Sequence, residues 1–168
     1  MNKLWSPWRS LYIDNIKQTN ESEECVFCGL SKLDVEDPKN LLLDKSKKTF
    51  TVLNLYPYNN GHLMVIPYRH TSDFSELDDE ENLEVMHKLQ LAKKALQIIA
   101  EPDGFNIGAN IGKISGAGIA NHIHFHIVPR WNGDTNFMPV LGDVKVISQD
   151  LLETKKRLVK AYKELAEK

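Results

Sequence analysis

Apolar and polar positions change their spacing several times along this chain, and each change predicts an element. From Asp79 to Ala100 the apolar residues Val85, Leu89, Ala92, Leu96 and Ile99 recur by fours and threes. That is the period of one amphipathic helix, which Pro102 and Gly104 bring to an end. Upstream, Lys48 to Leu55 is rich in β-formers and His62 to Pro67 is a second apolar run. Tyr56-Pro57-Tyr58-Asn59-Asn60-Gly61 between them supplies turn chemistry, so the three read as strand, loop and strand. Phe105 to Ile111 predicts another strand, and the small-residue loop Gly112 to Gly118 follows it. A closing helix over about 148–166, with Ser148 as its N-cap, gathers Leu151, Leu158, Tyr162 and Leu165 on one side. Residues 14–24 and 31–40 are polar and punctuated and read as loops. The sum is α+β, an antiparallel sheet with helices to one side.

The most informative run is His122-Ile123-His124-Phe125-His126-Ile127-Val128-Pro129-Arg130. Three imidazoles at every second position read as one face of a strand. Side chains two apart on a strand stand about 6.5 Å from one another and four apart about 13 Å, so no single ion can hold all three from one straight strand. The pattern predicts divided duties along one bound ligand. A lone histidine is more often structural, but three titratable groups gathered without use would be costly.

At 168 residues the chain has the length of a single domain over 1–168, with 1–24 as an N-terminal extension. The aromatic opening Leu4-Trp5-Ser6-Pro7-Trp8-Arg9 is expected to pack against the body or a second subunit. A formal charge of −2 gives no basic excess of the kind nucleic-acid binders carry. No leader or bilayer-length apolar run is visible, so the expectation is a cytoplasmic protein with neither nucleic-acid nor membrane partners. Cys25 and Cys28, the only cysteines, have the spacing of a metal half-site or a redox pair rather than of a structural disulfide.

The chemistry these residue types support is phosphoryl transfer. A neutral imidazole is a nucleophile near pH 7 without a separate base, whereas a hydroxyl needs one. Neighbouring imidazoles can bond non-bridging oxygens or hand a proton to a departing group. The small residues Gly116, Ala117 and Gly118 let backbone N–H groups approach an anion.

His122-Ile123-His124-Phe125-His126-Ile127-Val128 resembles the His-φ-His-φ-His-φ-φ signature of the histidine triad (HIT) family. The likeness extends through Leu53-Asn54-Leu55, through Gly61 to His70 and through Asn110-Ile111-Gly112. Pro129 to Val140 and the opening Leu4 to Arg9 resemble the bacterial branch that contains diadenosine tetraphosphate phosphorylases. The resemblance implies a sheet of about five strands with a long central helix and a C-terminal helix. It implies His124 as nucleophile on an α-phosphate and His126 on the phosphate and leaving-group oxygens. Asn54 would hold the ribose hydroxyls, Asn110 and Gly116, Ala117 and Gly118 the phosphates, and Phe27 and Leu55 would wall the base. Many relatives carry a hydroxyl just before the first histidine; here it is missing, and Ser115 is the candidate replacement.

Two more ligands would close a tetrahedral centre on Cys25 and Cys28, and His70 and His122 are the candidates. The resemblance implies the same set and a structural zinc, with no organic cofactor. The cysteines as small core residues and His70 as a surface residue is the alternative. His62 is expected to be a structural strand residue, and His87 to lie on the exposed side of the long helix. The expected activity is cleavage of dinucleoside polyphosphates through a nucleotidyl-His124 intermediate, with phosphate slightly favoured over water as acceptor. Alternatives are a purine nucleoside phosphoramidate hydrolase, a zinc enzyme in which His122 and His124 chelate a catalytic ion, and a nucleotide-binding sensor. The expected partners are an adenine or other purine nucleotide, inorganic phosphate and, as the resemblance implies, a second copy in a homodimer.

Overall fold

The structure is a computed structural model, and it describes residues 25–134 and 150–167. In chain order the elements are α1 (Val26–Leu30), β1 (Leu42–Lys45), β2 (Thr49–Leu53), β3 (Leu63–Pro67), α2 (Asp79–Ala100), β4 (Gly104–Ala109), β5 (Phe125–Arg130) and α3 (Leu151–Ala166). Two 3₁₀ turns, Phe74–Glu76 and Lys113–Ser115, lie between them. The five strands form one sheet in the order β1-β2-β3-β5-β4, with every neighbouring pair antiparallel. The expectations for Leu4–Arg9 and residues 14–24 fall outside the described residues.

Strands β2 and β3 are buried along their whole length, so the sheet is covered on both faces. On one face Leu53, Leu63, Val65 and Ile127 pack against Val85, Leu89, Ala92 and Leu96 of α2 and Leu158, Ala161 and Tyr162 of α3. On the other, Phe27 of α1 and Ile119 join Leu42, Phe50, Val52, Met64 and Ile66. This second face carries the chemistry.

The long helix starts and stops where the sequence predicts. Asp78 accepts from the Glu81 N–H at 2.7 Å and Glu81 accepts from the Asp78 N–H at 2.9 Å, a reciprocal capping box. Glu101 turns left-handed at φ 43° just before Pro102. The closing helix is capped by Asp150, which accepts from the Glu153 N–H at 2.9 Å, and not by Ser148, which lies outside the described residues. Lys155 of α3 donates to the carbonyls of Val35 and Asp37 at 3.0 and 2.6 Å, tying the helix to the loop before β1.

Two strand expectations are corrected, and one strand was not expected. Strand β1 has no counterpart in the sequence reading. The strand expected over Phe105–Ile111 runs instead from Gly104 to Ala109. The histidine run does not form one straight strand, because pairing begins at Phe125, opposite Val65 and Ala109. His122 and His124 precede it on a segment anchored by the Ile123 N–H donating to the Thr71 carbonyl at 2.7 Å. Among the described residues, no helix is long and apolar enough to cross a membrane.

Candidate active site and metal cluster

The β2–β3 loop, the segment before β5 and the start of β5 bring four histidines together. His62, His122, His124 and His126 are all buried. The rings of His124 and His126 lie 4.8 Å apart at 76°, edge to face. Phe27 of α1 lies against His124 at 4.8 Å and edge-on to His122 at 5.5 Å, excluding water from both.

Hydrogen bonding fixes the tautomers. His124 Nδ1 lies 2.8 Å from the His122 carbonyl, and a carbonyl only accepts, so Nδ1 carries the proton. Burial pushes the His124 ring below the usual imidazole range, so it is neutral at pH 7 and its Nε2 holds a lone pair. A different chain orders His126. The Tyr58 N–H donates to His62 Nδ1 at 3.0 Å, and the Asn54 amide approaches the same nitrogen at 3.3 Å. The His62 proton therefore sits on Nε2 and is donated to His126 Nδ1 at 2.9 Å, which leaves the His126 proton on Nε2. The three rings are set as an unprotonated nitrogen on His124 beside a donor on His126.

His62 lies just outside the strand in which the sequence places it. It precedes β3, is fully buried, and orients His126. Gly61 delivers it with φ +74°, and a Cβ there would stand 2.9 Å from Leu96 Cδ2. The loop is further held by Asn59, which donates to the Asp134 carboxylate at 2.9 Å and to the Pro129 carbonyl at 3.2 Å. The Arg130 guanidinium beside Asp134 holds that carboxyl at about 2.

Of the residues assigned by sequence, Phe27, Asn54, Asn110, Gly116, Gly118, His124 and His126 line a single cleft. Leu55 and Ala117 do not. Leu55 is 57 % exposed, because β2 ends at Leu53 and Asn54 turns the chain by accepting from the Tyr56 N–H at 2.9 Å. Ala117 is half-buried between the two lining glycines. Ser115 also stands apart: its hydroxyl donates to the Ile111 and Gly112 carbonyls at 2.8 and 2.7 Å and is not part of the lining. The cleft adds four residues that the sequence reading did not assign, Tyr56, Tyr58, Met64 and Ile119. Two aromatic residues in the turn between β2 and β3 were the visible signal. His87 is exposed on α2, as expected.

Cys25, Cys28, His70 and His122 converge beside the cleft, their donor atoms all within 4.8 Å of one another. Cys25 is the N-cap of α1 and Cys28 lies three residues on, so both sulfurs share one face. Cys25 Sγ lies 3.4 Å from His122 Nδ1, Cys28 Sγ 3.4 Å from His70 Nδ1, and Cys28 Sγ 3.7 Å from His122 Nδ1. Ordinary zinc–sulfur and zinc–nitrogen bonds at tetrahedral angles put S···N edges at about 3.6 Å. His122 Nε2 lies 2.9 Å from the Pro67 carbonyl and donates to it, which turns the Nδ1 lone pair to the sulfurs. Burial pushes its ring below the usual range, keeping that lone pair unprotonated. The four residues can hold a metal ion, and their donor set suits zinc.

The sequence profile of the HIT domain family matches residues 35–133. A protein of Mycobacterium tuberculosis (strain ATCC 25618 / H37Rv) described as AP-4-A phosphorylase is 38 % identical over 161 residues, covering 94 % of this chain and 83 % of that protein. Adenosine 5'-monophosphoramidase of Schizosaccharomyces pombe is 33 % identical over 108 residues, 64 % of this chain and 75 % of that one. The crystal structure of a zinc-bound histidine triad family protein from Mycobacterium smegmatis superposes with TM-score 0.68 at 28 % identity, covering 86 % of this chain and 96 % of that one. With a family match over more than half of its length and a relative 38 % identical along nearly all of it, the chain belongs to the HIT domain family, that of the histidine triad proteins.

Proposed function

We propose that this protein transfers a nucleoside monophosphate from a dinucleoside polyphosphate, by way of His124, to inorganic phosphate. The observation that carries the reading is the His124 Nδ1–H bond to the His122 carbonyl, which leaves a neutral ring with its Nε2 lone pair in the cleft. In the first step Nε2 forms a bond to the α-phosphorus while the bond to the bridging oxygen breaks. The departing polyphosphate is stable as an anion, so His126 Nε2–H needs only to hydrogen-bond its oxygen. The positive charge that His124 then carries is met by the same His122 carbonyl. In the second step a phosphate oxygen attacks the phosphorus and the electron pair returns to Nε2, giving a nucleoside diphosphate beside the triphosphate released first.

Asn54, at the rim, has the amide needed to bond two ribose hydroxyls, and Phe27, Met64 and Ile119 supply an apolar bed for a purine. Phosphate as acceptor is favoured by the likeness to the mycobacterial AP-4-A phosphorylase along nearly the whole chain. The likeness to the yeast monophosphoramidase supports a second reading, hydrolysis of a purine nucleoside phosphoramidate at the same His124. Incubation with diadenosine tetraphosphate, with and without phosphate, separates the two. ATP plus ADP formed only with phosphate is the expected result; AMP formed without phosphate would overturn phosphorolysis in favour of hydrolysis.

Zinc on Cys25, Cys28, His70 and His122 would supply a structural anchor for the segment that carries His124. The protein further pairs with a second copy through the sheet edge at β4, where Ile107 is 53 % exposed and the outer side of the strand has no sheet neighbour among the described residues. Light scattering is expected to give the mass of two chains or more at micromolar concentration, and a monomer there would overturn the pairing.

A further inference from the structure

We propose that Tyr58 is the residue that receives the leaving group: its hydroxyl, held against Asn110, binds the phosphate chain beyond the scissile bond. The inference rests on the reading of the cleft as a nucleotidyl-transfer site. It begins from the hydroxyl inventory of the cleft. The lining contains no serine or threonine among the described residues, and Ser115, the nearest candidate in sequence, spends its hydroxyl on the carbonyls of its own turn. Tyr56 and Tyr58 carry the lining hydroxyls.

The position of Tyr58 is fixed from several directions. Its ring lies 4.6 Å from that of His62 and 5.7 Å from that of His126, tilted by 33° and 37°. It therefore covers the pair that orients the donor on His126. Its hydroxyl accepts from the Asn110 amide at 3.3 Å, a contact that reaches from the β2–β3 loop to the segment after β4. Its backbone is pinned by its own N–H on His62 and by Asn59 next to it.

The direction of the cleft then assigns the ligand. Phe27 lies against His124 on the side of the apolar bed, whereas Tyr58 and Asn110 lie on the side of His126. A nucleoside seated over Phe27, Met64 and Ile119 with its α-phosphorus at His124 sends the rest of the chain past His126 towards Tyr58. A phenol accepts and donates at once, so it can keep the Asn110 amide and give its O–H to a phosphate oxygen. The ligand class is thus the β- and γ-phosphates of a nucleotide chain rather than a bare amine.

The test is Tyr58→Phe, which keeps the ring over His62 and His126 and removes only the hydroxyl. Two substrates with the same transferred group are compared, diadenosine tetraphosphate and adenosine 5'-phosphoramidate, whose leaving group has no phosphates. The loss in kcat/KM on the tetraphosphate is expected to exceed the loss on the phosphoramidate by about 10-fold or more, as for a charge-assisted hydrogen bond. Equal losses, or none, overturn the proposal, because a purely structural role moves both alike. Equilibrium binding keeps the question separate from turnover. Tyr58→Phe is expected to weaken ATP binding about 10-fold more than AMP binding; equal effects would again overturn it. Should the wild type turn over neither substrate, the transfer reading fails while the binding comparison still decides on Tyr58.

Discussion

Replacing His124 with alanine is expected to lower turnover of diadenosine tetraphosphate by about 10⁴-fold or more, since a covalent route loses its only nucleophile. The size follows from what the ring supplies. Its neutral state is secured by burial, its tautomer by the His122 carbonyl, and its aim by contact with Phe27 and His126. Among the described residues of the cleft no other combines an unprotonated ring nitrogen with that position, because His126 Nδ1 is engaged by His62 and its remaining nitrogen carries the proton. Denaturation of quenched wild-type enzyme after mixing with labelled substrate is expected to retain a nucleotidyl adduct. The adduct should be absent in His124→Ala and present in His87→Ala, whose side chain lies exposed on α2. His124 is 5 % exposed, so its removal leaves a hole that costs about 1–3 kcal/mol of stability. His124→Gln, nearer in volume, and a thermal melt of each variant separate that loss from lost chemistry. A label that survives in His124→Ala places the nucleophile elsewhere, and intact nucleotide after long incubation with wild type favours a binding protein over an enzyme.

The sequence carried different parts of this structure with unequal clarity, and the reasons are physical. Helix α2 was readable because Val85, Leu89, Ala92, Leu96 and Ile99 keep one apolar period along it and Pro102 and Gly104 mark its stop. Strand β1 was not, since four residues with two consecutive buried leucines show no alternation, and its pairing register with β2 shifts between Leu42 and Asp44. The histidine row was legible as a constellation and misleading as a strand. Strict alternation predicts one straight face, whereas the chain enters β5 only at Phe125 and uses the two preceding histidines on an anchored approach. His62 escaped because its role depends on His126, 64 residues away, and on a backbone N–H in a turn. Tyr58 escaped for a similar reason: turn chemistry was visible in its segment, but its ring partners are His62 just before β3 and His126 near the start of β5. Leu55 failed in the other direction, since a side chain next to Asn54 in sequence faces away once Asn54 turns the chain.

Loss of one cysteine from the cluster is the second large effect expected. Metal analysis of wild type supplied with zinc should find about one ion per chain, the number a closed four-ligand centre takes. Cys25→Ser should bind it weakly and melt about 10 °C or more below wild type, if the lost ligand costs about 3–5 kcal/mol in a chain of this size. The magnitude is set below that of zinc fingers, which fold only with metal, because this chain buries two apolar clusters of its own on the faces of the sheet. The effect should still reach the active site. His122 would share the ion with a helix whose Phe27 packs on His124, and the carbonyl of the same His122 fixes the His124 tautomer. A structural ion and a catalytic one then give different time courses. Brief treatment with chelator should leave turnover near its starting value, with activity declining only as the protein loosens on warming. Immediate loss on chelation, restored at once by zinc, would instead mean that the ion takes part in the reaction. A wild type that binds no zinc, or a Cys25→Ser protein that melts with it, would leave the four residues as a packed cluster of thiols and imidazoles. In that case the His122 carbonyl would owe its position to the Pro67 and Thr71 contacts alone.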